Sequence, residues 1–253
     1  MKFKLGKKAF VADHRDLKMM TYMSRAKLPD IQPVSTPYLA YKGDWGMALN
    51  DQLGDCVWAG AAHEHIMWNA EVSKPVNFPD SSIIKAYHDV AGYNPDDPNS
   101  DNGTIVRDAM GYRQRTGLVD ASGIVHKLSA YLQIKPQNID ELKMAVMLFD
   151  AVGIGIDFPD SAMDQVNKGL PWTVVEGAKS DGGHYVPIVG YDQDWIYCIT
   201  WGQVQKMSYE FYMEYNDEAW IPLSSDFLSV AGKSPEGFDI ATLKADLAAV
   251  KNM

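Results

Sequence analysis

Residues 50–63 read NDQLGDCVWAGAAH, and the helix-like run that follows, CVWAGAAHEHIMWNAEV over residues 56–72, decides the fold. The run holds no proline, and Trp58, Ala61, Ala62, His65 and Trp68 recur at the spacing of one helix face. Small residues from Ala59 to Ala62 let another element approach closely, so the segment predicts a buried central helix. Cys56 stands at its start, where unpaired backbone N–H groups and the positive end of the helix dipole favour a nucleophilic thiolate. A cysteine in an apolar helix is by itself an ordinary small core residue, so chemistry at Cys56 needs a partner.

Working outward, the partner is His184, which follows Gly182 and Gly183 and begins HYVPIVGYD over residues 184–192. A strand-borne imidazole facing a thiol at a helix start is an arrangement for nucleophilic catalysis. Segments 152–158 (VGIGIDF), 184–192 and 195–202 (WIYCITWG) are short and rich in Val, Ile and aromatics, with turn residues between them, and they predict antiparallel strands. Before them, residues 104–117 predict a helix stopped by Gly117, and residues 138–153 another with Asn138 as N-cap and Gly153 as stop. After them, SYEFYMEYNDEAW (208–220) and DIATLKADLAAVKNM (239–253) predict two further amphipathic helices. Helices first and sheet second make an α+β fold.

The 253 residues suit one large domain with appendages: a basic arm and proline-rich linker at 1–37, a compact domain at 38–205, and a helical extension packed on it at 206–253. A net charge of −10 argues against general affinity for nucleic acid or anionic membrane. Residues 1–27 nevertheless carry eight Lys/Arg against two Asp/Glu. Such an arm can dock on its own body, on a neighbouring subunit or on another acidic protein surface, or occupy the cleft as a pro-segment. Two cysteines make no disulfide framework, and the N-terminus has no apolar run after its basic residues. Both features predict a protein made in the reducing cytoplasm with free thiols.

The segment NDQLGDCVWAGAAH resembles the nucleophile region of papain-like cysteine peptidases, its LGDC being similar to the calpain version. GGHYVPIVGYD followed by WIYCITWG resembles the stretch in which that superfamily places its histidine, VGY, and a strand ending in NSWG. The helical stretches between also follow the superfamily's order, so the resemblance covers roughly residues 45–205. It implies a papain-like fold with a Cys56–His184 dyad, no cofactor or metal, and a peptide or amide substrate. It also exposes departures. The superfamily's oxyanion glutamine, six residues before the nucleophile, aligns with Asn50, while Gln52 stands two residues too close. The imidazole-orienting asparagine aligns with Ile199, which cannot hydrogen-bond, and Thr200 faces His184 only if a bulge shifts the strand register. Val57 intervenes between Cys56 and Trp58.

Other candidates are weaker. His63 and His65 lie two apart on a helix and point away from each other, so they do not form a metal site. Asp97, Asn99 and Asp101 imitate the start of a calcium loop, but Asn102 replaces the glycine of its sharp turn. Cys198 reads as a buried strand residue. Two functions stay open: a thiol hydrolase using Cys56, His184 and an oxyanion site made by the Cys56 N–H with Asn50 or Gln52, or a papain-like scaffold with weakened catalysis. The whole layout also resembles uncharacterised bacteriophage proteins, which implies for the second reading a virion-associated structural role with the arm as an assembly contact.

Overall fold

The computed structural model describes residues 2–23, 30–224 and 241. Most of the helix predicted over 239–253 lies outside the described residues.

After a single turn, α1 (Met19–Tyr22), the first half of the chain builds three helices: α2 (Cys56–Glu71), α3 (Asp80–Ala91) and α4 (Val106–Arg115). The central helix expected from residues 56–72 is present and buried along its length from Cys56 to Asn69. It is buried because its own Trp58 and Trp68 join Tyr87, Val106 and Tyr185 from the elements around it in one core. Gly60 permits the closest approach: a Cβ there would lie 2.7 Å from the Tyr185 ring.

The second half is the sheet. A short hairpin, β1 (Leu118–Val119) and β2 (Val125–His126), precedes β3 (Leu128–Gln133), α5 (Ile139–Phe149), β4 (Val152–Pro159), α6 (Asp160–Asn167) and β5 (Ser180–Tyr191). β6 (Ile196–Thr200), β7 (Gln203–Met207), α7 (Tyr209–Tyr215) and β8 (Asn216–Ser224) follow. Six strands pair antiparallel in the order β3-β8-β4-β5-β6-β7. Val152, Ile154, Ile156 and Phe158 of β4 pack with Val186, Ile188 and Trp172 in a second core. The fold is therefore a mixed helix and antiparallel-sheet architecture, as the element order implied.

Three expectations are corrected. The helix predicted over 208–220 ends at Tyr215, and NDEAW continues as strand β8 between β3 and β4. The switch occurs at Asn216, whose backbone is extended and whose amide donates to the Gly155 and Glu218 carbonyls at 2.8 and 2.7 Å, tying it into the sheet. The sheet thus runs across the 205/206 boundary read from the sequence. Helix α5, capped by Asn138 as predicted, stops at Asp150 in the left-handed region rather than at Gly153. Gly153 is a strand residue whose missing Cβ makes room for the Tyr185 hydroxyl. Finally, the arm is not separate from the core: Met19, Tyr22 and Met23 are buried in the sheet-side cluster.

Candidate active site

Cys56 occupies the first turn of α2 and is buried, with the backbone N–H groups of Tyr185 and Gly6 facing its sulfur. Those donors favour the thiolate, but burial dominates and pushes the thiol up to about 12. Burial thus opposes the thiolate that the helix start favours.

His184 stands on β5, immediately before Tyr185, and is fully buried. Desolvation brings its imidazole down to about 3, so it is neutral. Its Nε2 lies 2.8 Å from Thr200 Oγ1, and its Nδ1 makes no hydrogen bond to any described residue, the Cys56 sulfur included. A bulge explains why Thr200 rather than Ile199 meets the ring. Tyr191 pairs with Ile196 and Gly190 with Tyr197, so a regular ladder would set Ile188 opposite Ile199. Val189 is instead an extra residue, and Ile188 pairs with Cys198. The register slips by one, which puts Thr200 on the face of Val186 and His184 and sends Ile199 into the helix-side core. Trp201 then stacks on the imidazole with ring centroids 4.6 Å apart and planes 13° apart, shielding the Thr200 bond from water.

The helix side of the site is arranged differently. Asn50 is buried, and its amide donates to the Leu53 carbonyl at 3.2 Å and to Asp55 Oδ1 at 3.1 Å. Both amide hydrogens are thereby engaged, which leaves none for an oxyanion. Asp55 precedes Cys56 as the helix N-cap and is buried; burial raises its carboxyl well above the usual range, with the Asn50 bond opposing. Gln52 is exposed, two residues along a turn that Asn50 and Leu53 close. The backbone N–H of Cys56 lies in the unpaired first turn of α2 and is available as a donor at the sulfur.

The N-terminal arm lies across these residues. Lys7 N–H donates to the Gly183 carbonyl at 2.9 Å, Lys8 N–H to the Thr104 carbonyl at 3.0 Å, and Thr104 N–H to the Gly6 carbonyl at 2.8 Å. The arm is thus a bridge between the helix half and the sheet half, running parallel to Thr104. Its passage needs three glycines: a Cβ on Gly6 would lie 1.8 Å from the Gly54 carbonyl oxygen, and one on Gly103 would lie 2.1 Å from the Gly6 oxygen. Phe3 stacks on Trp201 at 4.6 Å. Asp101 anchors the helix-side wall, accepting from Gly54 N–H at 2.9 Å and Tyr87 hydroxyl at 2.8 Å and pairing with Lys4 at 3.0 Å. The loop that imitated a calcium site is thus a structural brace, and among the described residues no group of three or more His, Cys, Asp or Glu could hold a metal ion. Sequence reasoning missed this brace and the cleft contacts of Gly6 and Lys7; the glycine pairing of positions 6, 54 and 103 was the available signal.

His63 is held by the Gly46 carbonyl at 3.0 Å and His65 packs among Trp68, Phe78 and His126, so neither approaches Cys56 chemistry. Cys198 is a buried strand residue. No helix among the described residues is long and apolar enough to cross a membrane.

No protein-family model and no curated sequence relative matches the chain. Solved structures do. Xylellain, a cysteine protease from Xylella fastidiosa, superposes with a TM-score of 0.69 at 16% identity, covering 88% of this chain and 98% of its own. Digestive procathepsin L 3 of the Tenebrio molitor larval midgut gives 0.58 at 14% identity, covering 83% and 76%. The proform of the ragweed pollen allergen Amb a 11, a cysteine protease, gives 0.58 at 16%, covering 78% and 68%. At these identities the likeness concerns architecture: the chain has the fold of the papain-like cysteine proteases.

Proposed function

We propose that the protein is a thiol hydrolase of peptide or amide bonds, kept latent by its own N-terminal arm. The observation that carries this reading is the pairing of His184 with Thr200, which leaves Nδ1 without a hydrogen bond while Cys56 lies against the next residue of the same strand. In the tautomer whose Nε2–H donates to Thr200, the Nδ1 lone pair accepts the thiol proton. The thiolate then attacks the substrate carbonyl carbon, the Cys56 N–H stabilises the resulting oxyanion, and the imidazolium returns its proton to the leaving amine. Water hydrolyses the thioester by the reverse proton route. Thr200 supports this tautomer less firmly than an amide oxygen would, because a hydroxyl both donates and accepts.

The arm supports latency by what it presents. Gly6 turns an N–H toward the sulfur and gives its carbonyl to Thr104, so the thiol meets a donor rather than an electrophile. The test is covalent capture of Cys56 by a peptidyl epoxide, in the full chain and in Gly6→Val, whose side chain collides with Gly54. Capture should be slow in the first and faster in the second. Absence of capture in both, with Gly6→Val still folded, overturns the hydrolase reading. The engaged Asn50 amide favours a second reading, a papain-like scaffold of weakened catalysis serving as a structural or interaction protein of a virion, and that outcome would select it.

A further inference from the structure

The arm brings several lysines to the cleft, and their side chains fare differently. Those of Lys2 and Lys4 remain at the surface, 70% and 55% exposed. The Lys7 side chain is 1% exposed, with Nζ 2.7 Å from Asp217 Oδ2 and 3.4 Å from Glu218 Oε1. Both carboxylates belong to β8, outside the arm. Consecutive strand residues ordinarily point to opposite faces. Here Gly155 pairs with Glu218 and Ile156 with Asn216, so Asp217 is an extra, bulged residue, and both carboxylates reach the same cation. Room for the Lys7 stem and backbone comes from two more glycines. A Cβ on Gly155 would lie 2.2 Å from Lys7 Cε, and one on Gly183 would lie 2.2 Å from the Lys7 carbonyl oxygen.

We propose that this slot is the specificity pocket of the active site and takes the Lys or Arg side chain of the peptide to be cleaved, with Lys7 as its resident stand-in. The inference rests on the hydrolase reading and names its substrate class. Glu218 is buried, and Trp220 Nε1 donates to its second oxygen at 2.8 Å. A buried carboxylate beside another carboxylate calls for a cation; a neutral side chain leaves the charge unpaired and an acidic one is repelled. The slot's position follows from the backbone: Lys7 bonds to Gly183, the residue before His184, while Gly6 faces the sulfur. A side chain in the slot therefore belongs to a residue close to the scissile bond.

The test uses full-length Lys7→Ala, which empties the slot, and tripeptidyl acyloxymethyl ketones with Lys, Arg, Leu or Glu scanned through the three positions. At one position Lys and Arg should capture Cys56 about 30-fold faster than Leu, with Glu slowest, the low end expected for a partly exposed charge pair. Asp217→Asn with Glu218→Gln should abolish that preference, and Gly155→Val, which fills the slot, should slow the Lys and Arg probes most. Capture with no cationic preference at any position overturns the proposal while leaving the hydrolase intact. If no ketone captures Cys56 even when Gly6→Val is combined with Lys7→Ala in a folded protein, the hydrolase reading fails and the slot is decided by binding: a labelled peptide of residues 1–12 should bind Lys7→Ala more tightly than the same peptide carrying Met at position 7. Equal binding overturns the slot.

Discussion

The two walls of the cleft solve the same problem unequally. On the sheet wall, a hydroxyl at 2.8 Å and a stacked indole fix the His184 ring. On the helix wall, the amide that could serve an oxyanion is bonded inward to Asp55 and Leu53. On the sheet wall one bulged residue re-aims a strand and brings Thr200 to the ring. The helix wall is diverted because the Asn50 amide is drawn to a buried carboxyl five residues on. A site of this kind depends on its imidazole support more than on its side-chain oxyanion donor, and the following outcomes test that ranking.

The largest effect is expected from Ile199→Asn. The residue lies in the helix-side core, so the substitution buries an amide without a partner, removes apolar packing, and lowers stability by about 2–5 kcal/mol. Denaturant unfolding measures it. Restored activity in that variant, the result expected had Ile199 faced the imidazole, would contradict the register. Next comes Thr200→Val, which removes a hydrogen bond worth about 1.5–3 kcal/mol to the charged ring, or roughly ten- to a hundredfold in the rate of Cys56 capture. An unchanged rate at unchanged stability would remove the orienting role of Thr200.

Asn50→Ala sharpens the other side of the comparison. It leaves the buried Asp55 oxygen and the Leu53 carbonyl without their donor, at a cost of about 1–2 kcal/mol read as a lower melting temperature. The capture rate per folded molecule should change less than in Thr200→Val; a larger drop would show that the amide turns to the oxyanion during reaction.

The outcome read without any substitution concerns pH. The folded His184 pKa, about 3, lies below its ordinary value of 6.5, so the unfolded chain takes up a proton first as pH falls. His184 therefore contributes stability that is complete above about pH 6.5 and declines by about 1.4 kcal/mol per unit between there and 3. Imidazole NMR signals should show no titration of His184 from pH 7 to 4 in the intact chain, whereas an ordinary titration near 6.5 would show that the arm leaves the cleft freely.

Local residue chemistry carried much of this architecture. The buried helix opened by Cys56, the Asn138 cap, the antiparallel strands around His184 and the helix-then-sheet order all follow from periodicity and caps, which act within a few residues. Two local rules misled. The run 208–220 has helical spacing, but the Asn216 amide exchanges helix bonds for the Gly155 carbonyl, a partner 61 residues away. Gly153 reads as a helix stop, yet its lack of a side chain serves the Tyr185 hydroxyl.

What the sequence by itself determined is a thiol at a helix start and an imidazole on a strand, because each residue's position in its own element is a local property. Which neighbour supports the imidazole was left conditional on a bulge, and the sheet decided it: the extra residue Val189 is defined only by the strand it fails to pair with. Whether the thiol is ionised was likewise a tertiary outcome. The helix start favours the thiolate from any sequence context, but the arm folds back, Gly6 meets Gly54 and Gly103, and burial outweighs the dipole. The charge contrast between arm and body allowed docking; only the packed glycines and the Asp217–Glu218 bulge determined where it docks.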